Sequence, residues 1–80
     1  MNDALEPLKY DVRPGVYRHF KGSFVEVIGT ARHTETKEEF VTYRHQDGEY
    51  LLWVRPAAMF FEHVAKAGYD GQRFTLVKEF

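Results

Sequence analysis

Gly15-Val16-Tyr17-Arg18-His19-Phe20-Lys21-Gly22-Ser23-Phe24-Val25-Glu26-Val27-Ile28-Gly29 is the stretch that decides the fold. Val16 to Phe20 reads as a first strand, and Lys21-Gly22 as a tight connection. A long second strand follows from Ser23 to His33. Its two-residue period puts Val25, Val27, Gly29 and Ala31 on one face, and Phe24 and Ile28 on the other. A strand that is apolar on both faces in its first half suits a small barrel, where strands bend and change neighbours. Gly29 marks the expected bulge or bend.

Outward from this hairpin, Thr34-Glu35-Thr36-Lys37 is a polar connection, and Glu39 to His45 is the third strand. Val41 and Tyr43 share one of its faces, Phe40 and Thr42 the other. Asp47-Gly48, within Gln46 to Glu49, is a strong hairpin signal leading to a fourth strand, Tyr50 to Arg55. Pro56 sits where a helix begins, at a position that needs no donor. The spacing predicts a helix over Ala57–Lys66, with Phe60 and Val64 four apart and Met59 and His63 beside them. Gly68 is expected to end it, and Asp70-Gly71 to turn the chain into a last strand, Arg73 to Glu79. Upstream, Pro14-Gly15 is a turn signal, and Pro7 interrupts any helix in residues 1–13, which read as a tail draped over the domain. The expectation is one mostly-β domain over residues 14–80. It takes the form of a small SH3-like barrel or roll of about five antiparallel strands with a short helix before the last, because closing the sheet removes exposed edges.

Eighty residues allow one hydrophobic core. The seven Phe, five Tyr and one Trp supply it, since each buried ring removes a large apolar area from water. The absence of cysteine excludes disulfides, thiol nucleophiles and thiolate metal sites. Eleven Lys and Arg against twelve Asp and Glu give a net charge of −1, which argues against general nucleic-acid binding while leaving room for a local basic stripe. No apolar run approaches the ~20 residues that cross a bilayer. Met1-Asn2-Asp3-Ala4-Leu5-Glu6 has no basic, apolar leader, so the expected location is the cytoplasm.

The stretch Gly15 to Gly22 resembles the opening motif of a prokaryotic family known as domain of unknown function 1653. Three further pieces are similar to the same family: Gly29-Thr30-Ala31-Arg32-His33-Thr34-Glu35-Thr36, then Trp53-Val54-Arg55-Pro56 with Met59-Phe60, then Arg73-Phe74. They run in order from residue 15 to about 77. Val25, where an aromatic residue is common, and a short loop at Gln46–Glu49 are small departures. The resemblance implies a stand-alone SH3-like β-domain and no established activity.

The residues that could carry chemistry are Arg18, His19, His33, Glu35 and Arg55, with Tyr17, Tyr43 and Trp53 in the neighbouring strands. A meander would gather them near one barrel end, as a cleft between the 34–37 loop and the 53–56 strand end. Aromatic walls and an Arg floor would suit a small anionic or planar ligand, or a protein partner. The structural alternative makes Glu35 an internal fork to Arg18 or Arg55 and leaves Tyr17, Tyr43 and Trp53 as plain core. Thr34, Glu35 and Thr36 fit loop-structuring roles better than ligand contacts.

A small enzyme using His33 and Glu35 with Arg18 or Arg55 is a second reading; weak single-stranded nucleic-acid binding is a third. The four imidazoles His19, His33, His45 and His63 have no recognised ligand spacing, and no metal or other cofactor is expected. Ser23, the only serine, lies in no elbow motif. Met59, Phe60, Phe61, Val64 and Tyr69 form an apolar plug. Adjacent Phe60 and Phe61 cannot share a helical face, so one of them is a candidate partner or dimer contact in a monomer or weak homodimer.

Overall fold

The computed structural model describes residues 7–10, 12–46 and 51–80. About 57% of them lie in strands. The order is β1 (Gly15–His19), β2 (Phe24–Arg32), β3 (Glu39–His45), β4 (Trp53–Pro56), α1 (Ala57–Phe60), β5 (His63–Lys66), β6 (Tyr69–Gln72) and β7 (Phe74–Glu79). The Asp47-Gly48 turn and Tyr50 lie outside the described residues; Leu51 and Leu52 precede the fourth strand instead of belonging to it.

The first hairpin forms as its sequence dictates. His19 N–H donates to the Ser23 carbonyl at 2.8 Å and Gly22 N–H to the His19 carbonyl at 2.8 Å, with Gly22 at φ +108° where a side chain would be strained. Val25 and Val27 are fully buried, as their period requires. The register then shifts between Val27 and Gly29. Ile28 has no partner across the ladder, and Thr30 rather than Gly29 faces Val41. The extra residue therefore reverses the faces, which is why Ala31 is exposed although it shares the parity of Val25.

The strand order is β4-β3-β2-β1-β7, antiparallel at every joint, with β5-β6 as a separate hairpin. The expected closed barrel is thus corrected to an open five-stranded sheet with β4 and β7 at its edges. The sheet is nonetheless curled. Side chains bridge the edges where backbone does not: the Arg55 guanidinium carbon, from β4, sits 5.8 Å from the centroid of the Phe74 ring on β7. Phe60 fills the hollow behind them. Its ring stacks on Phe74 at 4.1 Å, meets Tyr17 edge-on at 5.4 Å and lies 5.7 Å from Tyr43.

The long helix is also corrected. Only Ala57–Phe60 is helical, and the chain leaves it at Phe61. His63–Lys66 is a strand, and Ala67 and Gly68 make a two-residue turn at φ +49° and +84°. Two successive positive φ values fit the right-handed twist of a hairpin. Phe60 and Val64 are both buried, but Val64 by strand alternation between exposed His63 and Ala65. Asp70 and Gly71 lie in β6 rather than in a turn.

The N-terminal segment is docked. Glu39 accepts the backbone N–H of Lys9 at 2.8 Å and of Tyr10 at 3.1 Å through its two carboxylate oxygens. The Tyr10 ring stacks on Phe61 at 5.9 Å, so the second ring of the Phe60-Phe61 pair is covered from within the chain. Among the described residues, no helix is long and apolar enough to cross a membrane.

Candidate functional site

The strands sort the expected residues by face and by end. β1 carries Tyr17 inward and leaves Arg18 outward and exposed. Tyr17 is 3% exposed, its hydroxyl donating to the Arg13 carbonyl at 2.9 Å, and Tyr43 is 6% exposed. Both tyrosines are core, as the structural alternative held. Trp53 is not: it is 45% exposed at the sheet edge, and its ring contact is with His45 at 6.5 Å.

The 33–37 loop is closed on itself. His33 N–H donates to the Glu38 carbonyl at 2.8 Å, and Lys37 N–H to the His33 carbonyl at 2.9 Å. His33 Nδ1 accepts the backbone N–H of Glu35 at 3.1 Å and of Thr36 at 3.2 Å. Thr36 Oγ1 accepts Glu38 N–H at 3.2 Å, and the Thr34 carbonyl accepts the Lys37 ammonium at 2.9 Å. Lys37, at φ +65°, completes the turn. His33 is therefore a turn-builder, and no hydrogen bond joins it to the Glu35 carboxylate. Nor does Glu35 fork to Arg18 or Arg55. No charged residue is buried among the described residues.

The nine residues of β2 separate this loop from the opposite turn at His19, a span of roughly 26 Å at ~3.3 Å per residue. A groove of about 330 Å³ does lie beside the loop, but of the expected ligand residues only Thr36 lines it; Tyr10, Lys9 and Lys37 are among its walls. His33, Thr34, Glu35 and Thr36 lie together in this loop, and Arg18 lies on the outer face of β1.

What the fold does gather is at the His19 end. His19, half-buried on the inner face of β1, packs on Phe20 at 4.6 Å and edge-on against Phe74 at 4.9 Å. Its Nδ1 accepts the Lys21 N–H at 3.1 Å. Arg55 reaches the Phe74 ring from β4, while Lys21 and Arg73 lie 5.9 and 6.0 Å from the Phe20 centroid. His45, opposite Val25 on β3, is 6.1 Å from the Tyr43 ring. Two aromatic rings, Phe20 and Phe74, thus hold cationic or titratable side chains from three strands or their flanks. Burial, then the charges of Arg73, Arg55, Lys21 and His45, hold the His19 imidazole below its ordinary value of 6.5. Arg73 Nη2 donates to Glu62 Oε1 at 3.0 Å; its Nε–H is buried without an acceptor among the described residues.

Of the expected ligand residues, His19, Tyr43, Trp53 and Arg55 meet here. Lys21, His45 and Arg73 were not anticipated. The pairing of His45 with Val25, beside the β1–β2 turn, follows from the bulge at Ile28, and Arg73, which the sequence places first in the last strand, forms the bend before it. Among the described residues, no three His, Asp or Glu side chains converge as a metal site.

Comparison with solved structures finds a crystal structure of a DUF1653 protein from Bordetella bronchiseptica. It is 36% identical, covers 88% of this chain and 92% of that one, and superposes with a TM-score of 0.75. Among curated proteins nothing matches. The family model described as "Protein of unknown function (DUF1653)" matches residues 15–76, from the buried Gly15 of β1 to Leu76 of β7 and so across all five strands of the sheet; the chain belongs to the DUF1653 family.

Proposed function

We propose that this chain is a non-catalytic binding module whose ligand surface is the cationic and aromatic end of the sheet, made by His19, His45, Arg55 and Arg73 around Phe20, Phe74 and Trp53. The ligand it suits is anionic. Its scaffold is read as an SH3-like roll, curled rather than closed.

One observation carries the reading: the half-buried imidazole of His19 packs on Phe20 and Phe74, whose rings also hold Lys21, Arg55 and Arg73. His45 is the fifth basic group at this end, in a chain whose net charge is −1. Among the described residues only Arg73 of the five is held by a carboxylate, Glu62. Like charges crowded over apolar rings disfavour one another, and a bound anion relieves that repulsion. Arg also offers paired N–H donors to a carboxylate or phosphate. The 33–37 loop, with its donors and acceptors turned on its own backbone, has less to offer a ligand.

The test is a chemical-shift titration with inorganic pyrophosphate. Saturable shifts clustering at His19, His45, Arg55 and Arg73 are expected. Arg55→Ala should weaken binding by about fivefold or more, as the loss of a charged hydrogen bond does. Shifts clustering at residues 33–37 would instead move the site to that loop, and no saturable shift would dismiss it.

A further inference from the structure

The apolar side of the same end is β4. Leu51, Leu52, Trp53 and Val54 are four consecutive large hydrophobics, and each is between 45% and 62% exposed. Among the described residues β4 is an edge strand, paired only with β3. The opposite edge is guarded: β7 carries Lys78 and Glu79, and Glu79 lies 3.5 Å from Arg13. Charges on an edge discourage strand addition, and residues 51–54, which lead into and open β4, carry none.

The ladder shows which backbone groups of β4 stay open. Pro56 pairs with Phe40 and has no N–H, so that pair is a non-bonded one. Bonded and non-bonded pairs alternate in antiparallel strands. Val41 with Arg55 is then bonded, and Thr42 with Val54 is not. The Val54 N–H and C=O therefore point away from β3, toward the open side.

We propose that β4 accepts an extended peptide segment of a partner protein as a sixth strand, and that the segment carries an acidic residue two positions from an apolar one. This rests on the anion-binding reading above. Trp53 and Arg55 are two apart and share the inner face of the sheet, so an added strand sets residues i and i+2 beside them. The apolar residue covers the Trp53 ring, beside which His45 lies, and the acidic one faces Arg55, which shares the Phe74 ring with His19. Main-chain bonds to Val54 supply attachment, and the side-chain pair supplies selectivity. A second copy of this chain is the poorer occupant, because pairing two β4 edges brings two such cationic clusters together.

The experiment uses the whole chain and the probe acetyl-Thr-Val-Thr-Glu-Thr-Val-Thr-amide, with the same peptide carrying Lys for Glu as control. Amide hydrogen exchange is read residue by residue, with and without peptide. The acidic peptide is expected to slow exchange at Val54 by about tenfold or more, as a new ladder bond does, and to bind about fivefold more weakly to Arg55→Ala. The lysine peptide should bind more weakly than the acidic one. If the acidic peptide gives saturable shifts at His19 and Arg55 with no added protection at Val54, strand addition is overturned while the anion site stands. If pyrophosphate shifts nothing either, the anion site has failed as well. Equal binding of both peptides, concentration-dependent dimerisation through β4, or binding of an oligothymidylate in place of the peptide would each overturn the proposal.

Discussion

The guanidinium of Arg55 lies over the ring of Phe74, 5.8 Å from its centroid, joining the two edge strands of the sheet through side chains alone. This one contact links the fold to the site. The curl that brings β4 toward β7 also brings the cation of one strand to the ring on which His19 of another strand already packs, 4.9 Å away.

Phe60 sets that curl. It is wholly buried and touches Tyr17, Tyr43 and Phe74 at once. Phe60→Ala should lower stability by about 3–5 kcal/mol, a large share of the roughly 4–12 kcal/mol available to a chain of this size. Urea denaturation checks it; a loss under ~1 kcal/mol would mean the ring is not the wedge described.

Gly15 opens the stretch that gives the fold away, and the reason is spatial. It is buried opposite Glu79, and a Cβ there would run into the Lys78 carbonyl oxygen in the neighbouring strand. Gly15→Ala must push β7 from β1, with an expected loss of about 1–3 kcal/mol and faster amide exchange along β7. Unchanged exchange in β7 would contradict the close approach.

Glu39 holds the N-terminal segment by two backbone N–H groups. Glu39→Gln keeps the size but gives up charge-assisted bonding, and Glu39→Ala removes the acceptor. The alanine variant should lose about 1–2 kcal/mol and be cut faster by protease near Lys9. Glutamine should fall between it and the native chain. Equal cleavage in all three would show that Tyr10 stacking on Phe61 suffices.

The pH dependence of stability should carry a His19 component of definite sign. Its folded value is depressed by burial and by Arg73, Arg55, Lys21 and His45, whereas the unfolded value is the ordinary 6.5. The unfolded chain therefore binds more protons in the window just below 6.5, and stability rises with pH there. The contribution is complete above the unfolded value and is lost as pH falls through the folded one. His19→Gln should flatten this part of the profile; an unchanged slope would contradict it.

Much of the sheet was legible in the sequence because strand alternation and turn residues are local signals. β1, β2 and β3, a bulge beside Gly29 and the inward Val41 and Tyr43 all follow from them. The β5–β6 hairpin was not legible. A four-residue spacing such as Phe60 to Val64 satisfies both a helical and a strand period, and only the positive φ of Ala67 and Gly68 separates the two. Closure was likewise out of reach, since it depends on whether β4 meets β7 by backbone or by Arg55. The candidate site split for the same reason. Trp53, Arg55, Tyr43 and His19 meet because of the curl, while His33 and Glu35 are near neighbours in sequence whose turn consumes its own polar groups.

Titration of the His19 imidazole by NMR, with and without saturating inorganic pyrophosphate, tests the cationic surface most directly. A bound anion offsets the charges of Arg73, Arg55 and Lys21, so the depressed value must move up toward 6.5. A His19 titration that stays unmoved at saturation would contradict the account.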